Sequence, residues 1–458
     1  MQTSAECSNR ALAGALAKLA VPIVLQNLIS AVVNAADVFM LTGVGQDALS
    51  AVSLAGQVAF VLTLFYMGLS SGASILGAQY WGRRDGDTVE AVLGLSVRYS
   101  MAVSMLFFLA TLLAPELLMR IFTPDAALIS LGAGYLRILG VGFLFMGASH
   151  MLLAIFKSME QTKLSASIST ACLLANIALN ALAIFVLFPG NPRMAVQGVA
   201  AATSLSRLLE LALCLAAVRR GRGVPLKLRR VMHCPTQLRK DFLRCMLPVL
   251  GNYLVWGCGL SANSAIMGHI GSDMVSAHSL ANTLRNLVTV SCSGMASGGG
   301  ILLGLYLGKG DYGTARRLGR LLCWGSLLAG ALAGLILAAI RGPYLAFSRL
   351  TGDAHALLGQ MLWVNAVYCI GKSFNMCMVS GVFSAGGDTK FGLICDGVTM
   401  WGIILPLGLL TAFALHWPPI AVYLVLCADE FVKLPAVLHH FRQYRWLVNL
   451  TREKTQKQ

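Results

Sequence analysis

The sequence predicts an all-α polytopic membrane protein of about twelve transmembrane helices, in two six-helix bundles related by a parallel internal repeat. Three observations predict it. The 458 residues are 57% apolar and only 12% charged, with mean hydropathy +0.72, about half the charged fraction of an ordinary soluble domain. Long runs carry no Asp, Glu, Lys or Arg. The second half of the chain repeats the first at a nearly constant offset. A soluble fold of this length needs far more polar surface, and the same composition excludes disorder, collagen, coiled coil and a disulfide scaffold.

A spanning helix takes about 20 mostly apolar residues. The first span is read at 15–41, around the uncharged run between Lys18 and Asp37, and the second at 50–77, within the run from Asp47 to Arg83. The third, 92–114, uses the run from Arg98 to Glu116, and the fourth, 131–155, that from Arg137 to Lys157. The fifth, 164–188, lies between Lys163 and Arg193, and the sixth is 195–218. The second half reads 245–268, 277–304, 319–341 and 356–381, in the runs Arg244–Asp273, Arg285–Lys309, Arg320–Arg341 and Asp353–Lys372. The last run, Asp396–Asp429, holds a span at 391–414 and begins one at 418–440. The short polar start, Met1 to Arg10, has no cleavable signal pattern, so the first segment is read as a retained span.

Net charge is +16, from 35 Lys and Arg against 19 Asp and Glu. Its placement decides its meaning. Basic residues crowd the even-numbered loops: Arg83 and Arg84, Lys157 and Lys163, the run from Arg219 to Lys240, Lys309, Arg316 and Arg317, Lys390, and the tail from Arg442 to Lys457. Odd loops hold Arg120, Arg193, Arg341 and Arg349. The positive-inside rule puts both termini in the cytoplasm, with no nucleic-acid partner; a lipid-binding role for 219–240 is the alternative reading of that run. The twelve cysteines include no CxxC pair, and the scattered His150, His269 and His278 have no ligand spacing, so no structural metal site is expected.

The repeat sets the domain organisation. Pro22 matches Pro248 at an offset of 226, as do Gly45 and Gly271, Asp47 and Asp273, Ser53-Leu54-Ala55 and Ser279-Leu280-Ala281, and Asp85 and Asp311. Phe156, Thr162 and Lys163 match Phe383, Thr389 and Lys390 at an offset of 227. Six spans per copy is even, so both copies enter from the same side. The expected domains are an N-terminal bundle at 1–218, a basic cytoplasmic linker at 219–240 and a C-terminal bundle with a short basic tail at 241–458. Paired bundles around a cleft favour a transporter over a receptor or channel.

These residues resemble the multidrug and toxic compound extrusion (MATE) family. The resemblance rests on the spacing from Pro22 to Asp37, on Gly45 to Ala55, and on the ending Gln79-Tyr80-x-Gly82-x3-Asp85. It continues through Asn176-x3-Asn180, Gly198-Val-Ala-Ala-Ala-Thr203, the turn from Gly381 to Lys390, and Pro406. It implies a secondary antiporter that exports organic, often cationic compounds against inward H⁺ or Na⁺.

Asp37 is the strongest functional candidate. A carboxylate inside a span costs about 2.5–3.5 kcal/mol on insertion scales, and such a group can load and release a proton or bind a cation; the bland alternative is a carboxylate hydrogen-bonded to neighbouring helices. Asn176 and Asn180, one turn apart, share a face of the fifth span, and with Thr203 and Asp37 they can build an all-oxygen site of the kind Na⁺ accepts; glue between helices is the alternative. In similar MATE proteins an acidic residue stands where this chain has Asn180. The departure leaves one carboxylate and points to H⁺, with Na⁺ as the alternative. Pro22 removes a backbone hydrogen bond inside the first span, and the resemblance makes it a conformational hinge; a static kink is the alternative. Asn34, Gln57 and Asp396 are substrate-cavity candidates. Glu210 with Arg207 and Glu430 with Lys433 read as local neutralisation, and Asp388 as turn and cap chemistry. The position matching Asp37 in the second half is Asn263, so the coupling site is expected in the first half.

The expected function is alternating-access antiport of drug-like organic compounds, in a bacterial cytoplasmic membrane, by a monomer without a cofactor. No catalytic set is present, so the chain is not read as an enzyme. A lipid-linked oligosaccharide flippase of the same superfamily is the alternative, weakened by the few bases within spans, of which Arg137 and Lys372 stand out.

Overall fold

The computed structural model describes residues 9–221, 235–348, 350 and 352–452. Of the expected linker 219–240, positions 222–234 lie outside the described residues. Every regular element among the described residues is helical. The first half comprises α1 (Asn9–Thr42), α2 (Gln46–Gly82), α3 (Gly86–Leu113), a short α4 (Pro115–Arg120), α5 (Ala126–Ser158), α6 (Thr162–Ala181), which continues as π-helix over Leu182–Leu187, and α7 (Pro192–Arg219). The second comprises α8 (Thr236–Ile270), α9 (Ser272–Gly308), α10 (Tyr312–Phe347), α11 (Gly352–Asn375) running into π-helix Met376–Phe383, and α12 (Thr389–Gly397). The π-helix Val398–Ile404, α13 (Leu405–Leu409), the π-helix Leu410–Ala414, α14 (Pro419–Leu426) and α15 (Asp429–Arg442) complete it.

Eleven helices among the described residues are long and apolar enough to cross a membrane. Most extend several residues past their expected apolar limits: α2, expected at 50–77, has 37 residues and a length of about 55 Å, well beyond the roughly 30 Å hydrocarbon core. The twelfth span differs from expectation. It is two helices, α14 and α15, separated by Cys427 and Ala428. Asp429, Glu430 and Lys433 sit directly after the break and Pro435 lies inside α15, so an unbroken apolar rod of spanning length does not form there.

The repeated residues have local structural reasons. Gly45 and Gly271, matched in the repeat, both sit at positive φ (146° and 154°) just before α2 and α9, a conformation that L side chains rarely adopt. Asp85 and Asp311, also matched, both cap the next helix, accepting from Thr88 N at 3.3 Å and Thr314 N at 3.0 Å; a carboxylate there satisfies an otherwise free helix N-terminal donor. Lipid-facing surface is visible on α10, where Trp324, Leu328, Leu332 and Leu335 form an exposed stripe while Leu322, Ala333 and Leu337 are buried.

The chain forms two compact units, one of Leu25–Met246 and the other of Met1–Val24 with Leu247–Gln458. Both divisions fall inside helices, within α1 and α8, close to Pro22 and Pro248. Each helix remains continuous past its proline. In the first unit α5 packs against α2, α3 and α7, and small residues permit the approach: a Cβ on Gly142 would stand 2.9 Å from Ser204 Oγ, and one on Gly72 2.8 Å from Met246 Cβ. In the second unit the repeat-equivalent contact is formed by Gly298, where a Cβ would stand 3.0 Å from both Ala20 N and Ala20 Cα. Backbone cannot yield as a side-chain tip can. Gly298→Val is therefore expected to lower stability by about 1–3 kcal/mol, read as a reduced thermal midpoint of the purified protein in detergent; an unchanged midpoint would contradict this packing.

Candidate functional site

α1 carries Asp37 five residues before its end, and Pro22 lies four turns earlier in the same helix, in the other compact unit. α6 presents Asn176 and Asn180 one turn apart, and α7 presents Thr203; all four polar side chains belong to the first unit. They meet. Asn180 Nδ2 donates to Asp37 Oδ1 at 2.9 Å and lies 3.4 Å from Asn176 Oδ1. Asn176 Nδ2 donates to Thr203 Oγ1 at 3.4 Å, and Thr203 donates in turn to the carbonyl of Val199 at 3.0 Å.

The direction of these bonds is informative. Each amide donates along the chain, and the one carboxylate accepts. Asn176 and Asn180 are buried, and Asn180 is 1% exposed. Asn180 Oδ1 is buried with no hydrogen-bond partner. Such an orphaned acceptor is costly in a dry interior, and a proton on Asp37 or a cation beside it would supply what it lacks. Asp37 itself is half-buried. Tyr135 of α5 is buried and within the reach of Asp37's charge, a neighbour that the sequence reading missed; a tyrosine inside the fourth expected span was the available signal.

The remaining candidates lie apart from this cluster. Asn34 and Gln57 are exposed. Asp396 is in the second unit, where its Oδ1 takes an ion pair from Lys433 Nζ at 2.9 Å. Lys433 also reaches Glu430 Oε2 at 3.3 Å and Asp429 Oδ2 at 3.5 Å. Lys372 Nζ lies 3.1 Å from Glu430 Oε1, and Asn375 donates to Glu430 Oε2 at 2.8 Å. The Glu430–Lys433 pair read from spacing is thus one edge of a five-charge cluster, buried to half-buried, joining α11, α12 and α15. Tyr368 donates to Glu430 at 3.4 Å, and Arg285 of α9 stacks on Tyr368 with its guanidinium carbon 4.7 Å from the ring centre. With Arg285 counted, three cations face three carboxylates. Arg137, read as a base within a span, instead pairs at 2.7 Å with Glu116 of α4, both side chains about half exposed. Asp388 makes no side-chain cap bond to α12; its Oδ2 lies 2.5 Å from His440 Nε2, and His440 stacks on Phe391 at 3.9 Å. No cluster of His, Cys, Asp and Glu among the described residues could hold a metal ion.

Comparison with known proteins gives the family. A MatE family model matches the chain twice, over residues 22–182 and 249–410. An uncharacterized transporter, YisQ, of Bacillus subtilis is 23% identical over 428 residues, covering 93% of each chain. A probable multidrug resistance protein NorM of Mesorhizobium japonicum is 27% identical over 463 residues, covering 94% of this chain and 92% of the relative. In fold, the chain is similar to a multidrug resistance MATE family transporter of the MOP superfamily in its outward-facing conformation, with TM-score 0.84 and 19% identity over 94% of this chain and 95% of the other. The two matches of one model correspond to the two copies of the repeat. With its helical architecture, its spanning helices and its family match in both halves, the chain belongs to the MatE family and is a membrane transporter, not an enzyme.

Proposed function

We propose that this protein is a secondary active antiporter that exports organic cationic or amphipathic compounds across a bacterial cytoplasmic membrane in exchange for H⁺. Both termini face the cytoplasm, the protein acts as a monomer, and the lobes 1–218 and 241–458 alternate access around a cleft. The observation that carries the reading is the Asp37–Asn180 contact, together with the unpartnered Asn180 Oδ1. Ionised, Asp37 accepts from Asn180. Protonated, it can donate, and rotation of the Asn180 amide presents Oδ1 to that new donor. The proton thus changes which groups bond α1 to α6, and α1 is the helix that also carries Pro22. We assign Pro22 as the point where α1 bends in response. A relative named for multidrug resistance over nearly the full length supports export of drug-like compounds, and Asn34, Gln57 and Asp396 stand as cavity candidates, the last tied to Lys433.

Na⁺ is the second reading, favoured by the oxygen-bearing side chains of Asp37, Asn176, Asn180 and Thr203. A site with one carboxylate attracts Na⁺ less than a site with two. Against a flippase of anionic lipid-linked sugars, the bases inside the second unit, Arg285, Lys372 and Lys433, are engaged with internal partners.

Dye transport in inverted vesicles, under pH and Na⁺ gradients imposed separately, tests the proposal. Transport is expected to follow the pH gradient and to ignore Na⁺, and Asn180→Asp, which restores a second carboxylate, is expected to introduce Na⁺ dependence. Transport driven by neither gradient would refute antiport; drive by Na⁺ alone in the unaltered protein would overturn the proton assignment.

A further inference from the structure

Within the first unit, a second carboxylate lies deeper than Asp37. Glu210 of α7 is 3% exposed. Ser149 of α5 donates to its Oε2 at 2.9 Å, and Arg207, three residues earlier on α7, donates to the same oxygen at 3.3 Å. The ionisable groups facing it from the packed helices are His150 and Lys157 of α5, Cys172 of α6 and Cys214 of α7. His150 lies against the Tyr66 ring at 5.4 Å, and the Tyr66 hydroxyl is 2.7 Å from Ser104 Oγ.

This cluster continues the Asp37 cluster. Glu210 follows Thr203 by seven residues, two turns along the same face of α7 and about 10 Å along its axis. On α6 a similar displacement of about two turns leads from Asn180 through Asn176 to Cys172, which is within reach of Glu210's charge. One polar face therefore runs inside the unit from Asp37 to Glu210, and Lys157, in the last turn of α5, marks its end towards the loop expected in the cytoplasm. Neutralisation of a stray carboxylate would need Arg207 alone. It does not account for a serine bonded from another helix with a histidine and a second base of that helix within reach of the charge, since a buried ionic cluster is rarely the most stable filling of such a space.

We propose that Glu210 is a second proton station, taking the proton that Asp37 releases and passing it to the cytoplasm. This rests on the proton reading of Asp37 above. The proton leaves the Asp37 carboxyl, crosses by way of water and the Thr203 hydroxyl, and adds to the Glu210 carboxylate; only O–H bonds form and break. Arg207, whose side chain is 28% exposed against 4% for Glu210, is the partner free to withdraw as the proton arrives. His150 and Lys157 of α5 then face the outgoing proton.

The test uses the full-length protein in inverted vesicles, with ΔpH-driven accumulation and substrate–substrate counterflow of one dye measured side by side. In Glu210→Gln the ratio of ΔpH-driven accumulation to counterflow is expected to fall tenfold or more. Glu210→Asp, which keeps the acid, is expected to restore much of the ratio with a shifted dependence on cytoplasmic-side pH, and His150→Gln to shift that dependence as well. Equal loss of both activities in Glu210→Gln, with no shift of the pH profile in Glu210→Asp or His150→Gln, would make the cluster structural and overturn the proposal. Undiminished ΔpH-driven accumulation in Glu210→Gln beside an inactive Asp37→Asn would overturn it while leaving Asp37's role intact. If Asp37→Asn is also undiminished, the proton reading of Asp37 itself fails.

Discussion

Asp37→Asn is expected to abolish gradient-driven transport. A pH difference of two units supplies about 2.7 kcal/mol per proton, enough for roughly 100-fold accumulation of a co-exchanged monovalent compound. Without an ionisable group at position 37, the cluster has no carboxylate to load, since Asn176, Asn180 and Thr203 do not titrate. Accumulation in inverted vesicles should then fall from that limit to a ratio of about one. The replacement is nearly isosteric, and its amide can still accept from Asn180 through its oxygen, so the 2.9 Å contact is largely kept and folding should survive. A normal thermal midpoint with no accumulation is the expected pair of results. Accumulation within a few-fold of the unaltered protein would remove Asp37 from the coupling mechanism.

Lys433→Met is expected to have the largest effect on stability. Lys433 is 8% exposed and bridges three carboxylates on two helices, Asp396, Asp429 and Glu430, at 2.9 to 3.5 Å. Removing the shared cation leaves Asp429 and Asp396 buried or half-buried without their bridging partner, while Glu430 retains Lys372 and Asn375. Breaking a buried ionic cluster by deleting one partner typically costs about 3–5 kcal/mol, because the desolvation of the others is no longer offset. Denaturation of the purified protein in detergent should register that loss. Adding Asp396→Asn to Lys433→Met should recover part of it, since one stranded charge is then gone. A single-variant loss below about 1 kcal/mol, or no recovery in the double variant, would show that the cluster is not what holds α12 to α15.

Asp37 was legible in the sequence because its environment is: a carboxylate among apolar residues within a run of spanning length is unusual wherever the helix packs. Asn176 and Asn180 were legible as a pair because four residues make one helical turn. Their contact with a group 143 positions away was reachable only through a family resemblance, since local periodicity says nothing of which helix lies opposite. Asp396 shows the limit. Read from its span as a cavity candidate, it is engaged by an ammonium 37 positions away. Arg285 and Tyr135 were passed over for the same reason: neither stands out until its neighbours are known.

Sequence alone therefore determined what depends on local composition and spacing. It set the membrane class and all but one of the long helices, for which apolar runs suffice. It set the duplication, whose matched Gly45/Gly271 and Asp85/Asp311 serve the same turn and cap in each copy. Tertiary structure decided how the charges inside the spans are matched and where α1 and α8 pass from one compact unit to the other. Those outcomes depend on which side chains from separate helices come within about 3 Å of each other, and a buried charge is stable only where such a partner arrives.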